Sequence, residues 1–194
     1  MEELPFAADW ELLKEILLFK KRYNIKTIIE TGTWIGNTTE LLSYIFDKVI
    51  TIEIDPQFYI DASRLDKLQN VTRLLGDSSE WLEKIYLYDK EYTLIFLDAH
   101  SFGHGCPLNQ ELEALIKNTS INKKLILVIH DCLNPHQPEF GYDTYEDKPI
   151  SYELIKDNII KLYNNNYYYA YNGKASGEKR GVMFVIPKET NERK

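Results

Sequence analysis

Ile29-Glu30-Thr31-Gly32-Thr33-Trp34-Ile35-Gly36-Asn37-Thr38-Thr39, followed by Thr51-Ile52-Glu53-Ile54-Asp55-Pro56, is the stretch that decides the fold. An apolar run ends on an acid, a turn carries two glycines, a helical stretch follows, and a second apolar run again ends on an acid. The pattern recurs at Leu75-Gly76-Asp77, Phe96-Leu97-Asp98 and Val128-Ile129-His130-Asp131. Successive apolar segments therefore end at Glu30, Glu53, Asp77, Asp98 and Asp131. Strands alternating with helices predict a parallel sheet. Such a sheet takes its ligand beyond the carboxyl ends of its strands, so the five acids are expected to line one crevice.

Working outward, Asp9 reads as the N-cap of a first helix over about 9–22, apolar at Trp10, Leu13, Ile16 and Leu17. Lys26–Glu30 is the first strand. Asn37 with Glu40 has the form of a capping box opening a helix to about Phe46. Val49–Ile54 is the second strand, and Asp55-Pro56 opens a helix to about Leu68. Val71–Leu75 follows as a strand, then a helix from Asp77 to about Tyr88. Thr93–Leu97 and Leu125–Ile129 are further strands, with a helix near Asn109–Asn118 between them. A helix over Ser151–Tyr163 precedes two last strands, Tyr167–Tyr171 and Val182–Ile186. With no helix between them, those two suit an antiparallel hairpin. Two connections, about 100–108 and 132–149, exceed what linkage needs. Both leave the carboxyl end of the sheet and are expected to bind substrate.

Composition narrows the class. Apolar and charged fractions of 44% and 27% are those of a globular protein, expected to form one domain over 1–194. A net charge of −7 without a sustained basic run argues against a nucleic-acid substrate. No run has the length of a membrane helix, and the acidic start Met1-Glu2-Glu3 lacks a secretory leader pattern. Two cysteines, Cys106 and Cys132, are too few for a disulfide framework. The expectation is a cytoplasmic protein.

The turn after the first strand can approach a ligand closely, since Gly32 and Gly36 tolerate positive φ. Asn37, Thr38 and Thr39 offer helix N-terminal N–H groups to an anionic group. Glu53, 53 − 30 = 23 residues after Glu30, stands with Ile54 where an acid takes ribose hydroxyls in dinucleotide folds. Asp77, with Ser78 beside it, can accept from an adenine amine or can cap the next helix. Carboxylates are acceptors, and they suit a ligand that carries ammonium, sulfonium, ribose hydroxyls and an adenine amine. S-adenosylmethionine has those groups; a dinucleotide brings an anionic pyrophosphate, and the chain lacks G-x-G-x-x-G.

In order and spacing, Glu30-Thr31-Gly32-Thr33-Trp34-Ile35-Gly36, Val49 to Pro56, Val71 to Gly76, Leu94 to Asp98 and Leu127 to Asp131 resemble the class I S-adenosylmethionine-dependent methyltransferases. The nearest likeness is to small-molecule O-methyltransferases of the catechol type and to bacterial relatives that methylate sugar hydroxyls. The resemblance covers about Lys26 to Asp131. It implies an α/β Rossmann-like fold: a seven-stranded, mostly parallel sheet with helices on both faces and a C-terminal antiparallel strand. It also implies cofactor contacts from Glu30, Gly32, Glu53 and Asp77. In metal-dependent members the acids after strands four and five hold magnesium, and here Asp98 and Asp131 match them. The chain departs from that subgroup at Cys132, where an amide follows the second acid, and at His100-Ser101-Phe102, where a lysine base follows the first.

His100, His104, His130 and His136 fall with Cys106 and Cys132 in or beside the two long loops, although no pair has zinc-finger spacing. An imidazole titrates near neutrality, so His100 is the first candidate base and His130 the second. Phe140-Gly141-Tyr142-Asp143-Thr144-Tyr145 reads as an aromatic segment over the substrate. The expected activity is methyl transfer from S-adenosylmethionine to a hydroxyl of a small molecule or sugar. Asp98 orients the methionyl end or holds the metal, and Asp131 binds that metal or the acceptor. An NAD-binding oxidoreductase and a non-catalytic descendant that keeps the crevice are the alternatives.

Overall fold

The computed structural model describes residues 4–86, 91–99, 105–118 and 124–188. Chain order gives α1 (Trp10–Tyr23), β1 (Thr27–Thr31), α2 (Asn37–Ile45), β2 (Lys48–Glu53), α3 (Pro56–Asp61), β3 (Val71–Leu75), α4 (Ser78–Lys84) and β4 (Thr93–Leu97). Then come α5 (Leu108–Lys117), β5 (Leu125–Ile129), β6 (Thr144–Tyr145), β7 (Lys148–Pro149), α6 (Tyr152–Tyr163), β8 (Tyr167–Tyr171) and β9 (Met183–Pro187). Seven strands form one sheet in the order β3-β2-β1-β4-β5-β9-β8. The first five are parallel, and β9 runs antiparallel to both β5 and β8. This is the doubly wound sheet that the alternation of strands and helices predicts. The direction of winding reverses between β1 and β4, which opens a crevice beyond their carboxyl ends.

Each central strand is apolar on both faces because helices cover both. Along β5, Leu125, Leu127 and Ile129 join the core under α4, α5 and α6. Ile126 and Val128, pointing the other way, join the core under α1 and α2. Ile155, Ile159 and Tyr163 supply the apolar stripe of α6, and Leu12, Ile16 and Tyr23 that of α1. Tyr163 is fully buried, and its hydroxyl donates to the Leu125 carbonyl at 3.0 Å, which removes the cost of burying a polar atom.

Asp9, Asp55 and Asp77 cap α1, α3 and α4, each accepting from the two N–H groups two and three residues on. The expected capping box at Asn37 does not form. Gly36, left-handed at φ +80°, is the N-cap of α2, and Asn37 is its first residue. Arg64 takes both side chains instead, donating to Asn37 Oδ1 and Glu40 Oε2. The helix expected to reach Leu68 is α-helical only to Asp61 and then tightens into a 3-10 turn over Ala62–Lys67. The helix expected to reach Tyr88 ends at Lys84. The second long loop holds a small antiparallel ladder, β6 with β7, that no sequence pattern announced. Among the described residues no helix is long and apolar enough to cross a membrane.

Candidate active site at the carboxyl ends of the strands

The glycine turn brings the tips of β1 and β4 together. Gly32 has φ +84°, and a Cβ there would lie 2.6 Å from the Asp98 carbonyl oxygen. The Asp98 N–H donates to Thr31 Oγ1 at 3.3 Å, which fixes the same junction. Gly36 packs as closely on the other side, where a Cβ would meet Leu65 Cδ1 at 2.7 Å. Both glycines are thus required by backbone conformation and by packing. Thr38 Oγ1 accepts from the Phe6 N–H at 3.0 Å, tying the N-terminal segment to the start of α2.

Glu30 lies beneath this turn, fully buried. Its Oε2 accepts hydrogen bonds from Thr39 Oγ1 and from Thr51 Oγ1 (2.7 Å). Burial pushes its carboxyl up to about 8; the two hydroxyls pull it down, and the charges of Asp98 and Glu53 raise it again. Glu53, also buried, closes the tip of β2. Its Oε2 accepts from the Trp34 N–H at 2.7 Å and its Oε1 from the Asp55 N–H at 2.9 Å. A carboxylate has about four acceptor positions, so further donors can be received. Beside it stands an exposed apolar rim: Trp34, Ile54, Phe58 and Leu75. Trp34 and Phe58 meet edge to face at 6.1 Å. Asp77 Oδ1 is engaged in capping, accepting from the N–H groups of Ser79 (2.8 Å) and Glu80 (3.3 Å) and from Ser79 Oγ, while Ser78 is buried behind it.

The tips of β4 and β5 hold the second half of the site. His130 Nδ1 lies 3.1 Å from Asp98 Oδ1 and 3.4 Å from Asp131 Oδ2. Burial alone would push this imidazole down, but the charges of Asp98 and Asp131 and their hydrogen bonds hold it well above 6.5. Its Nε2 is buried with no hydrogen-bond partner among the described residues, and Phe96 packs edge-on against the ring at 5.8 Å. Asp131 adopts φ +54°, a left-handed conformation that costs a non-glycine residue energy. Strain of that kind gathers at functional sites.

The Asp131 partner that sequence reading missed is Arg180. Its Nε donates to Asp131 Oδ1 and its terminal nitrogen to Asp143 Oδ1. The guanidinium thereby straps the second long loop to the tip of β5. Backbone bonds add to the strap: Asp143 N–H to Asp131 O at 3.0 Å, and Cys132 N–H to Gly181 O at 2.9 Å. Arg180 lies 180 − 131 = 49 residues from Asp131, between Lys179 and Gly181, in a segment with no motif to mark it.

Asp98, His130 and Asp131 each offer a ligand atom, all within 4.8 Å of one another. That donor set fits a divalent cation, since two carboxylate oxygens and one ring nitrogen converge at metal-ligand spacing. Cys132 does not contribute: burial, with the charge of Asp131, pushes its thiol up to about 12, and a neutral thiol is a poor ligand. His100, the first candidate base, lies outside the described residues, as does His104.

No protein-family model matches the chain. A stretch of 74 residues, 38% of the chain, is 35% identical to a candidate ribosomal RNA small subunit methyltransferase A from Methanosarcina acetivorans, and it spans only 28% of that protein. Solved structures match far more of the chain. A candidate caffeoyl-CoA O-methyltransferase from Staphylococcus aureus superposes with TM-score 0.62 at 18% identity, over 95% of this chain and 86% of its own. The O-methyltransferase TomG from Streptomyces achromogenes, solved with S-adenosylmethionine, gives TM-score 0.63 at 14% identity, over 91% and 79%. A candidate O-methyltransferase from Klebsiella pneumoniae gives 0.61 at 17% identity, over 96% and 84%. The fold is that of the class I S-adenosylmethionine-dependent methyltransferases, as the motifs from Glu30 to Asp131 imply.

Proposed function

We propose that the protein transfers the methyl group of S-adenosylmethionine to a hydroxyl of a small molecule or sugar. The observation that carries this reading is the division of the crevice into two halves. At the tips of β1 to β3, Glu53 offers carboxylate acceptors beside an exposed apolar rim that includes Ile54. This half suits a ribose and a purine, with Asp77 and Ser78 at the adenine edge. Gly32, Gly36 and the start of α2 at Thr38 face the methionyl end, where helix N–H groups favour a carboxylate. At the tips of β4 and β5, Asp98, His130 and Asp131 form a compact cluster of charged groups suited to an acceptor oxygen. Fold likeness to O-methyltransferases supports the same assignment.

Methyl transfer needs in-line alignment of an oxygen with the sulfonium methyl, and the cofactor itself carries the reactive group. The chain's part is to orient the two reactants and to remove the acceptor's proton. Asp98 orients the methionyl ammonium from the β4 tip. Asp131, held by Arg180, presents its carboxylate toward the acceptor. His130, buried between the two acids, is better placed to hold them than to receive a substrate proton. His100 is the base in this reading. Asp98 and Asp131 would also hold a divalent metal, which would supply Lewis acidity that lowers the acceptor hydroxyl's pKa.

A second reading concerns only the acceptor. The short match to a candidate ribosomal RNA methyltransferase favours RNA, against which the net charge of −7 weighs. Calorimetric titration with S-adenosylhomocysteine tests the cofactor, and a methyl-transfer panel of sugars, catechols and a structured RNA tests the acceptor. Binding plus turnover on a hydroxylated small molecule is the expected result. Absence of S-adenosylhomocysteine binding would overturn the reading.

A further inference from the structure

At the tips of β4 and β5 the side chains of Asp98, His130 and Asp131 converge, and Arg180 joins Asp131 to Asp143. Donors in adjacent positions on a metal with bonds of about 2.1 Å stand roughly 3.0 Å apart. His130 Nδ1 is 3.1 Å from Asp98 Oδ1 and 3.4 Å from Asp131 Oδ2. The imidazole therefore already stands at ligand distance from both acids, and a bound ion would take the place of the ring's Nδ1 proton.

We infer that His130 is a metal ligand through Nδ1, completing with Asp98 and Asp131 a three-donor site that prefers a first-row transition-metal ion over Mg2+. This rests on the metal reading proposed above and deepens it by naming the third ligand and the class of ion. Magnesium holds to oxygen donors and keeps several waters, whereas imidazole suits Mn2+, Fe2+, Co2+ and Zn2+ in ascending but overlapping degree. The His130 side chain is 7% exposed and that of Asp131 13%, while Asp98, at 30%, keeps the open side of the cluster. Arg180 engages Asp131 through Oδ1 and leaves the His130 contact on Oδ2. Each oxygen then has its own role, one in the strap and one toward the ion.

The test uses the full-length protein stripped with a chelator and titrated with Co2+, Mn2+ and Mg2+ in the absence of cofactor. Co2+ is expected to bind at one site, with a visible absorption band, about tenfold or more tighter than Mg2+. In H130Q the Co2+ affinity should fall about tenfold or more, with the Mg2+ affinity changed less than about threefold. Pulsed electron paramagnetic resonance of the Mn2+-loaded wild type should show imidazole nitrogen coupling, absent in H130Q. Three results would overturn the inference: Co2+ binding no tighter than Mg2+, a wild-type spectrum without nitrogen coupling, or coupling that survives in H130Q. The wild-type spectrum decides the question even if H130Q fails to fold. S-adenosylhomocysteine titrated into the same samples separates the two readings. Its failure to bind beside normal Co2+ behaviour would refute methyl transfer and leave the metal site. Normal binding beside absent Co2+ selectivity would do the reverse.

Discussion

Replacing Glu30 with Gln tests how the buried acid beneath the glycine turn is held. The wild-type carboxyl is fully buried and pushed up to about 8 from an ordinary 4.5, burial being the largest cause. Between those values the folded protein keeps a proton that the unfolded chain has released. Stability from this group is therefore intact near and below 4.5 and is lost as pH rises toward 8. At about 1.4 kcal/mol per pH unit, the loss is at most about 5 kcal/mol by the top of that window. Gln cannot ionise, and it keeps an acceptor oxygen for the hydroxyls of Thr39 and Thr51 that Glu30 now receives. Urea and thermal unfolding of both proteins at about pH 5, 6.5 and 8 measures the difference. The wild type should lose ground steadily against E30Q as pH rises, by several kcal/mol in all, or on the order of 10 °C in Tm. Any fixed effect of the new amide group appears equally at each pH and drops out. A gap between the two proteins that does not change with pH would refute the reasoning, because Glu30 would then ionise as freely in the fold as outside it.

Three further outcomes are expected. Glu53→Ala removes the acceptors for the Trp34 and Asp55 N–H groups and should weaken S-adenosylhomocysteine binding about tenfold or more by calorimetry; unchanged affinity would sink the ribose assignment. Gly32→Ala places a Cβ 2.6 Å from the Asp98 carbonyl at φ +84°. It should destabilise by about 2–4 kcal/mol, read by urea unfolding, and a variant as stable as wild type would show that the turn can reshape. His100→Ala should lower turnover by about a hundredfold or more with cofactor affinity intact; full activity would remove it as base.

Much of the fold was legible because each strand carries its own local signature. Val71–Leu75, Thr93–Leu97, Leu125–Ile129 and Tyr167–Tyr171 occur where the apolar runs placed them. Asp9, Asp55 and Asp77 cap because an N-cap needs only a side chain two or three residues from the N–H groups it accepts from. Asn37 is not the cap because Gly36, at φ +80°, takes the N-cap position one residue earlier, and Arg64, 64 − 37 = 27 residues on, takes the Asn37 oxygen. The helix after Asp77 was expected too long because the apolar run through Tyr86 continues past Ile85, whose backbone is already extended. At the site, the five acids could be read as strand-end residues, but their protonation, partners and depth could not.

The sequence by itself determined the order of strands and helices, the end of the sheet at which ligand chemistry gathers, and the glycine turn between Glu30 and Asn37. These follow from periodicity, capping and backbone tolerance, which act over a few residues. Only the tertiary structure decided which charges meet. Strand order brings Asp98 and His130 together across 130 − 98 = 32 residues, and the connection between β8 and β9 delivers Arg180 to Asp131 and Asp143. Electrostatic coupling falls with distance through space and ignores distance along the chain. Which side chains make up the cluster was therefore fixed by packing.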